Sequence, residues 1–76
     1  MKFTKESLTY YARLANRTAK RGATTSNSFN VGRISALKEI LQHAGYAVES
    51  VVKMNSDYAT QTILEIKIDN ETVFKA

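Results

Sequence analysis

Apolar residues near the start of the chain recur with the period of an amphipathic helix. At about 100° per residue, one side of this helix carries Leu8, Tyr11, Ala12, Ala15 and Ala19. Thr4 is a candidate N-cap, and Phe3 and Leu8 have the spacing of a hydrophobic staple around it. Gly22 offers the C′ position, where a left-handed backbone costs little without a Cβ. The pattern predicts a first helix over residues 4–21.

Residues 22–30 are polar and rich in Ser, Thr and Asn, which is typical of a loop. A second helical pattern follows over residues 31–44, with Asn30 as its candidate N-cap and a staple between Phe29 and Ile34. Gly45 ends this helix and lets Tyr46 pack back on it. The predicted buried stripe consists of Ile34, Leu37, Leu41 and Ala44, with Ile40 at its margin.

From residue 47 onwards the apolar period changes to two, which is the period of a β-strand. The first strand places Val48, Val52 and Met54 on one face, and residues 55–60 form a loop. The second strand shows the clearest alternation in the chain. Its predicted inward residues are Leu64, Ile66 and Ile68.

The element order predicts an α+β domain (ααβββ), with two helices on one face of a three-stranded antiparallel sheet. A turn at 69–71 precedes the last strand, residues 72–75. A three-residue turn places Phe74 on the face of Ile68 and is preferred because it buries the larger ring, whereas a two- or four-residue turn places Val73 there. The predicted core consists of Leu8, Tyr11, Ala15, Ile34, Leu37, Leu41, Val48, Val52, Leu64, Ile66 and Ile68.

Composition narrows the class of protein. A chain of 76 residues that is 43% hydrophobic predicts one small globular domain over residues 1–76. The chain has no cysteine, so we expect no disulfide. It has no apolar run of about 20 residues, so we expect no membrane span. The start of the chain is polar, so we also expect no signal peptide and therefore a soluble cytoplasmic protein. Because a core of this size rarely nets more than about 3–5 kcal/mol, a homo-oligomer is an open alternative to a monomer.

Charge divides the chain into two unlike halves. Residues 1–38 carry eight Lys or Arg and one Glu, a net charge of +7, whereas residues 39–76 carry three Lys and six Asp or Glu, a net charge of −3. The whole chain has a net charge of +4 at pH 7. A basic half points to an anionic partner.

The basic residues of the first helix share one side. The side opposite the apolar one carries Tyr10, Arg13, Arg17, Lys20 and Arg21. Arginine offers a planar fork that matches phosphate oxygens, and a tyrosine among arginines can stack on a base or bond a phosphate. Arg33, Ser26, Ser28 and the first amides of the second helix are expected to add phosphate contacts across the loop. These residues predict a nucleic-acid-binding protein, for DNA or RNA, that contacts phosphates through its first helix.

Two other interpretations of the same residues stay open. The basic side is either an ordinary solvated surface or a docking face for an acidic surface of a larger protein, as in small phage-type inhibitor or interaction modules. For such a module, the edge strand 72–76 offers strand addition, and Tyr10, Tyr46 or Tyr58 offers an anchoring ring. The acidic turn at 69–71 would repel phosphates, so the nucleic-acid hypothesis predicts that this hairpin points away.

Catalytic chemistry is poorly represented. The chain has one histidine, His43, and no cysteine, so it holds neither a Cys-His pair nor a histidine cluster. His43 is expected to face solvent near the end of the second helix. Gly22, Gly32 and Gly45 are too far apart for a phosphate-binding glycine loop. The sequence predicts no enzyme, with no catalytic residue, metal site or cofactor.

Overall fold

The computed structural model describes residues 2–76 and shows two helices followed by a three-stranded antiparallel sheet. Helix α1 spans Lys2–Lys20 and helix α2 spans Thr24–His43. Strands β1, β2 and β3 span Val48–Met54, Gln61–Ile68 and Glu71–Lys75, in the order β1-β2-β3. Helix α1 contacts β2 and β3, and α2 contacts β1 and β2. The predicted α+β architecture is confirmed.

Both helices end at glycine, as predicted. Gly45 has φ +96°, and its N–H donates to Gln42 O at 3.0 Å. The N–H of Tyr46 donates to Leu41 O at 3.0 Å, which completes a Schellman motif. Gly22, with φ +67°, ends α1 with the same pair of bonds. These two residues tolerate the left-handed backbone because they lack a Cβ.

The helices begin earlier than predicted. Helix α1 starts at Lys2, so Thr4 is inside the helix, and Phe3 is 82% exposed and makes no staple. Helix α2 starts at Thr24, which makes the predicted loop over residues 22–30 wrong. Asn30 therefore caps no helix, and Phe29 is 63% exposed. At the other end of α2, Ala44 is exposed, so its predicted burial is also wrong.

The predicted loop is helical because Asn27 bonds to other elements and Asn30 bonds within the helix itself. Asn27 is 1% exposed, and its Nδ2 donates to Ala15 O of α1 at 2.8 Å. Asn30 is 6% exposed, and its Nδ2 donates to Ser26 O at 2.9 Å. A buried amide costs free energy unless it is hydrogen-bonded. Tertiary bonds thus override the local preference of asparagine for turns.

Two asparagine side chains pair with the backbone of β2 where β3 does not reach. Asn16 Nδ2 donates to Ile63 O at 3.0 Å, and Ile63 N donates to Asn16 Oδ1 at 2.7 Å. Asn27 forms the same two bonds with Gln61, at 2.9 and 2.8 Å. Strand β3 pairs only with residues 65–68 of β2. An amide carries both a donor and an acceptor, so these two side chains stand in for a missing strand.

Strand β2 departs from simple alternation at Leu64. Val52 pairs with Ile63, and the next pair joins Val51 to Glu65. Leu64 is thus an additional residue between two pairs, which is a β-bulge. The bulge places Ile63 in the core at 0% exposure and leaves Leu64 38% exposed. The prediction of Leu64 as a core residue is wrong.

The β2–β3 hairpin turns in two residues, so the predicted three-residue turn is also wrong. Asp69 has φ +50° and Asn70 has φ +67°, as a type I′ turn requires. Ile68 and Glu71 flank the turn as a cross-strand pair. Asparagine and aspartate tolerate this left-handed backbone better than other residues with a Cβ.

A second irregularity brings Phe74 to the core face. The β2–β3 register shifts between Ile66 and Lys67, and Phe74 then pairs with Ile66. Val73 and Phe74 are both half-buried against the core. The predicted placement of Phe74 is confirmed, but a bulge achieves it and not the length of the turn.

The core lies between the helices and the sheet. It consists of Leu8, Ala12, Ala15, Ile34, Leu41, Val48, Ile63, Ile66 and Ile68. Tyr11 and Leu37, both predicted as core residues, are half-buried against it. Val52 is 39% exposed, so its predicted burial is wrong. Burial along β1 falls off after Val48 because α2 covers only part of this edge strand.

Candidate functional site

Three cationic side chains stand in line on the outer side of α1. Arg13, Arg17 and Lys20 are exposed and, with Asn16, line a shallow groove of about 320 Å³. Spacings of four and three residues keep them on one helix face, over about 10 Å at 1.5 Å per residue. The structure thus brings together three of the residues predicted as a site.

The packing of α1 decides which way this groove faces. Leu8, Ala12 and Ala15 on the opposite side are fully buried. Asn16 lines the groove, but its amide nitrogen and oxygen are both engaged by Ile63. The groove therefore offers a ligand positive charge and no free amide pair.

The sequence indicates the position of Asn16 on α1 but not its bond to Ile63. It follows Arg13 by three residues and precedes Lys20 by four, so its place on the basic side can be read from spacing. Its partner Ile63 is 47 residues away, and nothing local in the sequence indicates that bond.

The arginines of this groove have no acidic partner in the described part of the chain. Among the side chains of residues 3–76, the one ion pair within 4 Å joins Lys5 Nζ to Glu71 Oε1, at 3.8 Å. Because cations that are not held in an ion pair stay available to other anions, the groove is open to an anionic ligand.

Tyr10 and Arg21 extend the basic side in opposite directions. Arg21 is exposed just beyond the end of α1. Tyr10 is 58% exposed, and its ring packs edge-on against Tyr11, with centroids 5.3 Å apart and planes at 68°. Tyr10 and Arg13 also line a groove of about 560 Å³ between α1 and β3. Both predicted residues are therefore accessible beside the three cations.

The acidic hairpin lies close to the first half of α1. Glu71 pairs with Lys5 and lines the same groove as Tyr10. Asp69 is engaged elsewhere, since its Oδ1 accepts a hydrogen bond from Ala47 N at 2.9 Å. Glu71 lies beside the first half of α1 because β3 packs against that helix. The basic groove thus has an acidic neighbour at one end.

A second acidic neighbour lies at the other end, in the β1–β2 loop over residues 55–60. Asp57 Oδ1 accepts from Ala59 N at 3.0 Å and Thr60 N at 2.9 Å, and Oδ2 accepts from the Thr60 hydroxyl at 2.8 Å. These bonds, the one from Ala59 foremost, hold the pKa of Asp57 below its usual 3.8. Asp57 shares a groove with Lys20. Tyr58, at the tip, is 86% exposed with φ +53°.

Arg33 belongs to a separate cluster. Its guanidinium carbon lies 5.4 Å from the centroid of the Tyr11 ring and 5.7 Å from that of Phe29. Its Nη1 also donates to Asn30 Oδ1 at 3.4 Å. These contacts occupy the faces of two rings, as cation–π pairs do. Arg33 does not line the groove of Arg13, Arg17 and Lys20.

The phosphate site predicted around Arg33 lacks its loop. Ser26, Ser28 and Arg33 all lie inside α2, which starts at Thr24. The amides just before Arg33 are therefore helical and are not the free first amides of a helix. No loop separates these residues, although Ser28 and Arg33 do line one surface groove together with Thr24 and Thr25 at the start of α2.

The described residues contain neither a grouped set of metal ligands nor a membrane-spanning helix. His43 is exposed at the end of α2. Within residues 2–76, no three or more His, Cys, Asp or Glu side chains are grouped closely enough to hold a metal ion. Neither helix of that range is long and apolar enough to cross a membrane.

No family model, curated protein or solved structure matches this chain. A functional proposal therefore depends on the geometry of the site alone. The strongest feature of that geometry is the groove of Arg13, Arg17 and Lys20.

Proposed function

We propose that the protein binds nucleic acid through backbone phosphates, with Arg13, Arg17 and Lys20 of α1 as the contact. The observation that supports this proposal is their common exposed groove, without an acidic partner within 4 Å among the described residues. Cations in line neutralise successive phosphates and release the counterions condensed on them. That release drives binding, and it makes the affinity dependent on salt.

The dimensions of the groove fit a short run of phosphates. Arg13 and Lys20 are seven residues apart, which is about 10 Å along a helix. One strand of a duplex advances about 3.4 Å per phosphate along its axis, so the groove spans about three phosphates. An amide reads adenine through a free donor and acceptor, and the amide of Asn16 is already bonded to Ile63. In this proposal the guanidinium groups of Arg13 and Arg17 contact phosphates. We therefore propose binding that depends little on sequence.

A binding titration over a series of salt concentrations tests this proposal. With Arg21 as a fourth contact, log K for duplex DNA is expected to fall with log salt at a slope of about −3 to −4. Arg17→Ala is expected to change the slope by about one unit and to weaken binding to unrelated sequences alike. Tyr10→Ala is expected to weaken binding to single strands more than to duplex, because stacking needs an exposed base.

Two further variants serve as controls. Lys67→Ala removes the same charge as Arg17→Ala, but from β2 opposite Glu49, and is expected to change affinity much less. Glu71→Gln removes the acidic neighbour of Tyr10 and frees Lys5, and is expected to strengthen binding. If Lys67→Ala weakens binding as much as Arg17→Ala, net charge and not the groove of α1 is responsible.

A different class of partner gives a different result. Absence of salt-dependent binding to duplex and single strands at low salt would refute the proposal. If the protein instead binds an acidic protein tightly, and Arg13→Ala with Arg17→Ala abolishes that binding, the same residues form a protein-docking face.

A further inference from the structure

Strand β1 exposes an uncovered edge of seven residues without proline. At one end Asp69 N donates to Ala47 O at 2.8 Å, and at the other Asn55 N donates to Thr60 O at 2.9 Å. Because the two backbone groups of a strand residue point to one side and the sides alternate, odd-numbered residues of β1 bond to β2. Even-numbered residues direct their N–H and C=O groups outward, and within the described chain no other segment binds them.

We propose that this edge pairs antiparallel with β1 of a second copy of the chain, about a two-fold axis at Val51. In this register Ser50 lies opposite Val52 of the second copy, and Val48 lies opposite Met54. These four residues are the ones that direct backbone groups outward, so every outward group finds a partner. It is also the one two-fold register that pairs all seven residues of β1.

Charge supports the same register. With the axis at Val51, Glu49 of each copy lies opposite Lys53 of the other, and opposite charges on facing strands stabilise a pair. With the axis at Ser50, Glu49 lies opposite Val51. With the axis at Val52, Val51 lies opposite Lys53. Only the central register forms both Glu–Lys pairs.

Strand β1 also carries exposed apolar side chains. Val51 is 50% exposed, Val52 39% and Met54 50%, and pairing of β1 covers part of each. The alanine-rich side of α1 is not available for self-association, since Ala12 and Ala15 are 0% exposed. A contact of one strand per copy lies at the small end of specific interfaces, about 1,200 Å² or less. We therefore expect a dimer that exchanges with monomer.

The side of α2 that lies over β1 carries no aromatic residue. Lys38 Nζ lies 3.5 Å from Ser50 Oγ, which places that side of α2 above β1. Helical spacing puts Val31, Ser35 and Gln42 on the same side, and none of these is aromatic. This inference is independent of nucleic-acid binding, because no residue of the basic groove lies in the proposed contact.

A single cysteine tests the position of the axis. The chain contains no cysteine, so Val51→Cys introduces one thiol. Facing residues of a non-hydrogen-bonded pair have Cα atoms about 4.5 Å apart, which is within the range of a disulfide. Tyr58→Cys is the control, since Tyr58 is more exposed at 86% but lies off the edge. Under the same oxidant, we expect Val51→Cys to form covalent dimer at least about tenfold faster, because pairing raises the local thiol concentration.

Charge reversal tests the register. Lys53→Glu places glutamates opposite each other, and we expect the dimer to dissociate about tenfold more readily in sedimentation equilibrium. Within its own chain Lys53 pairs with Thr62, so this change leaves the intrachain pair of Glu49 with Lys67 intact. Adding Glu49→Lys restores opposite charges across the axis and is expected to recover dimerisation. Circular dichroism verifies that each variant is folded.

The outcomes are distinct. A wild-type mass rising with concentration from 8.5 kDa towards twice that value, weakened by Lys53→Glu and recovered by the double change, supports the proposal. A monomer at every concentration, with Val51→Cys cross-linking no faster than Tyr58→Cys, overturns it. A dimer that is insensitive to Lys53→Glu overturns the register and places the contact elsewhere.

Discussion

Asn27→Ala tests whether side-chain amides replace the missing part of the sheet. Asn27 is 1% exposed and forms three hydrogen bonds, at 2.8 Å to Ala15 O, 2.9 Å to Gln61 O and 2.8 Å from Gln61 N. Without it, the N–H and C=O groups of Gln61 lose their partners, and each buried unpaired group costs about 1–3 kcal/mol. We expect a loss of about 3 kcal/mol in the free energy of unfolding. That approaches the whole stability of a core this small, about 3–5 kcal/mol.

Two other asparagines calibrate the effect. Asn30 is also buried, but its bonds stay within α2: its Nδ2 donates to Ser26 O at 2.9 Å, and its Oδ1 accepts a long bond from Arg33 Nη1 at 3.4 Å. Asn30→Ala is therefore expected to cost about 1 kcal/mol, the net value of one such bond. Asn16→Ala is expected to fall between the two, at about 2 kcal/mol, because Asn16 is only half-buried and water can replace part of its bonding.

Urea unfolding followed by circular dichroism at neutral pH measures these differences. A stabilising osmolyte keeps the weakest variant folded at the start of the titration. Hydrogen exchange at the Gln61 amide provides a second readout, because Asn27 Oδ1 is its acceptor. If Asn27→Ala costs no more than Asn30→Ala, and the Gln61 amide stays equally protected, the amide pairing does not stabilise the fold.

Two further predictions concern the hairpin loop and the core. The lowered pKa of Asp57 means that its stabilising bonds are complete above its usual pKa of 3.8 and are lost as pH falls through the lower folded value. The NMR chemical shift of the Thr60 amide should therefore change with a midpoint below pH 3.8, and Asp57→Asn should remove this pH-dependent change. A midpoint at or above pH 3.8 contradicts this account. Leu41→Ala is expected to lower the free energy of unfolding by about 2–5 kcal/mol. Leu37→Ala is expected to lower it clearly less, because Leu37 is only half-buried. Thermal unfolding measures both losses, and equal losses contradict this ranking.

The period of apolar residues was sufficient to predict the order of helices and strands, because burial of one face depends on spacing alone. It was not sufficient for the start of α2. Asn27 reads as a loop residue locally, yet its partner Gln61 is 34 residues away. Long-range hydrogen bonds leave no trace in a short window of sequence, so polar residues buried by such bonds are assigned to loops.

The bulges limited the prediction of the core in a different way. Ile63 and Leu64 are neighbours of similar size and hydrophobicity, so either can fill an inward position. One additional residue reverses which of them faces the core, and the register shift beside Val52 selects Ile63. The hairpin shows the same effect, since a bulge brings Phe74 inward after a turn of a different length. Alternation predicts a strand but not the position of a bulge.

The candidate site was also predictable only in part. The wheel of α1 was sufficient to place Arg13, Arg17 and Lys20 together, because residues on one helix have fixed relative positions. Their neighbours from other elements were not predictable from spacing. Glu71 lies beside the first half of α1 because β3 packs there, and Arg33 is drawn to Tyr11 by the helix pairing. The relative positions of charged residues on one helix are thus predictable from the sequence, whereas those of charged residues on different elements are not.

Dimerisation through β1 would affect the proposed binding of nucleic acid. A two-fold axis between antiparallel neighbours runs perpendicular to the sheet, so the pairing of β1 with its copy leaves all helices on one face. Asn16 of each groove bonds β2 on the side away from β1, so the two copies of the groove formed by Arg13, Arg17 and Lys20 lie far from the axis. A nucleic acid long enough to reach both grooves would gain the effective concentration of a tethered second site, whereas a short one would bind each groove singly. Self-association would thus convert a weak contact of about three phosphates into a stronger one without adding any residue to the groove.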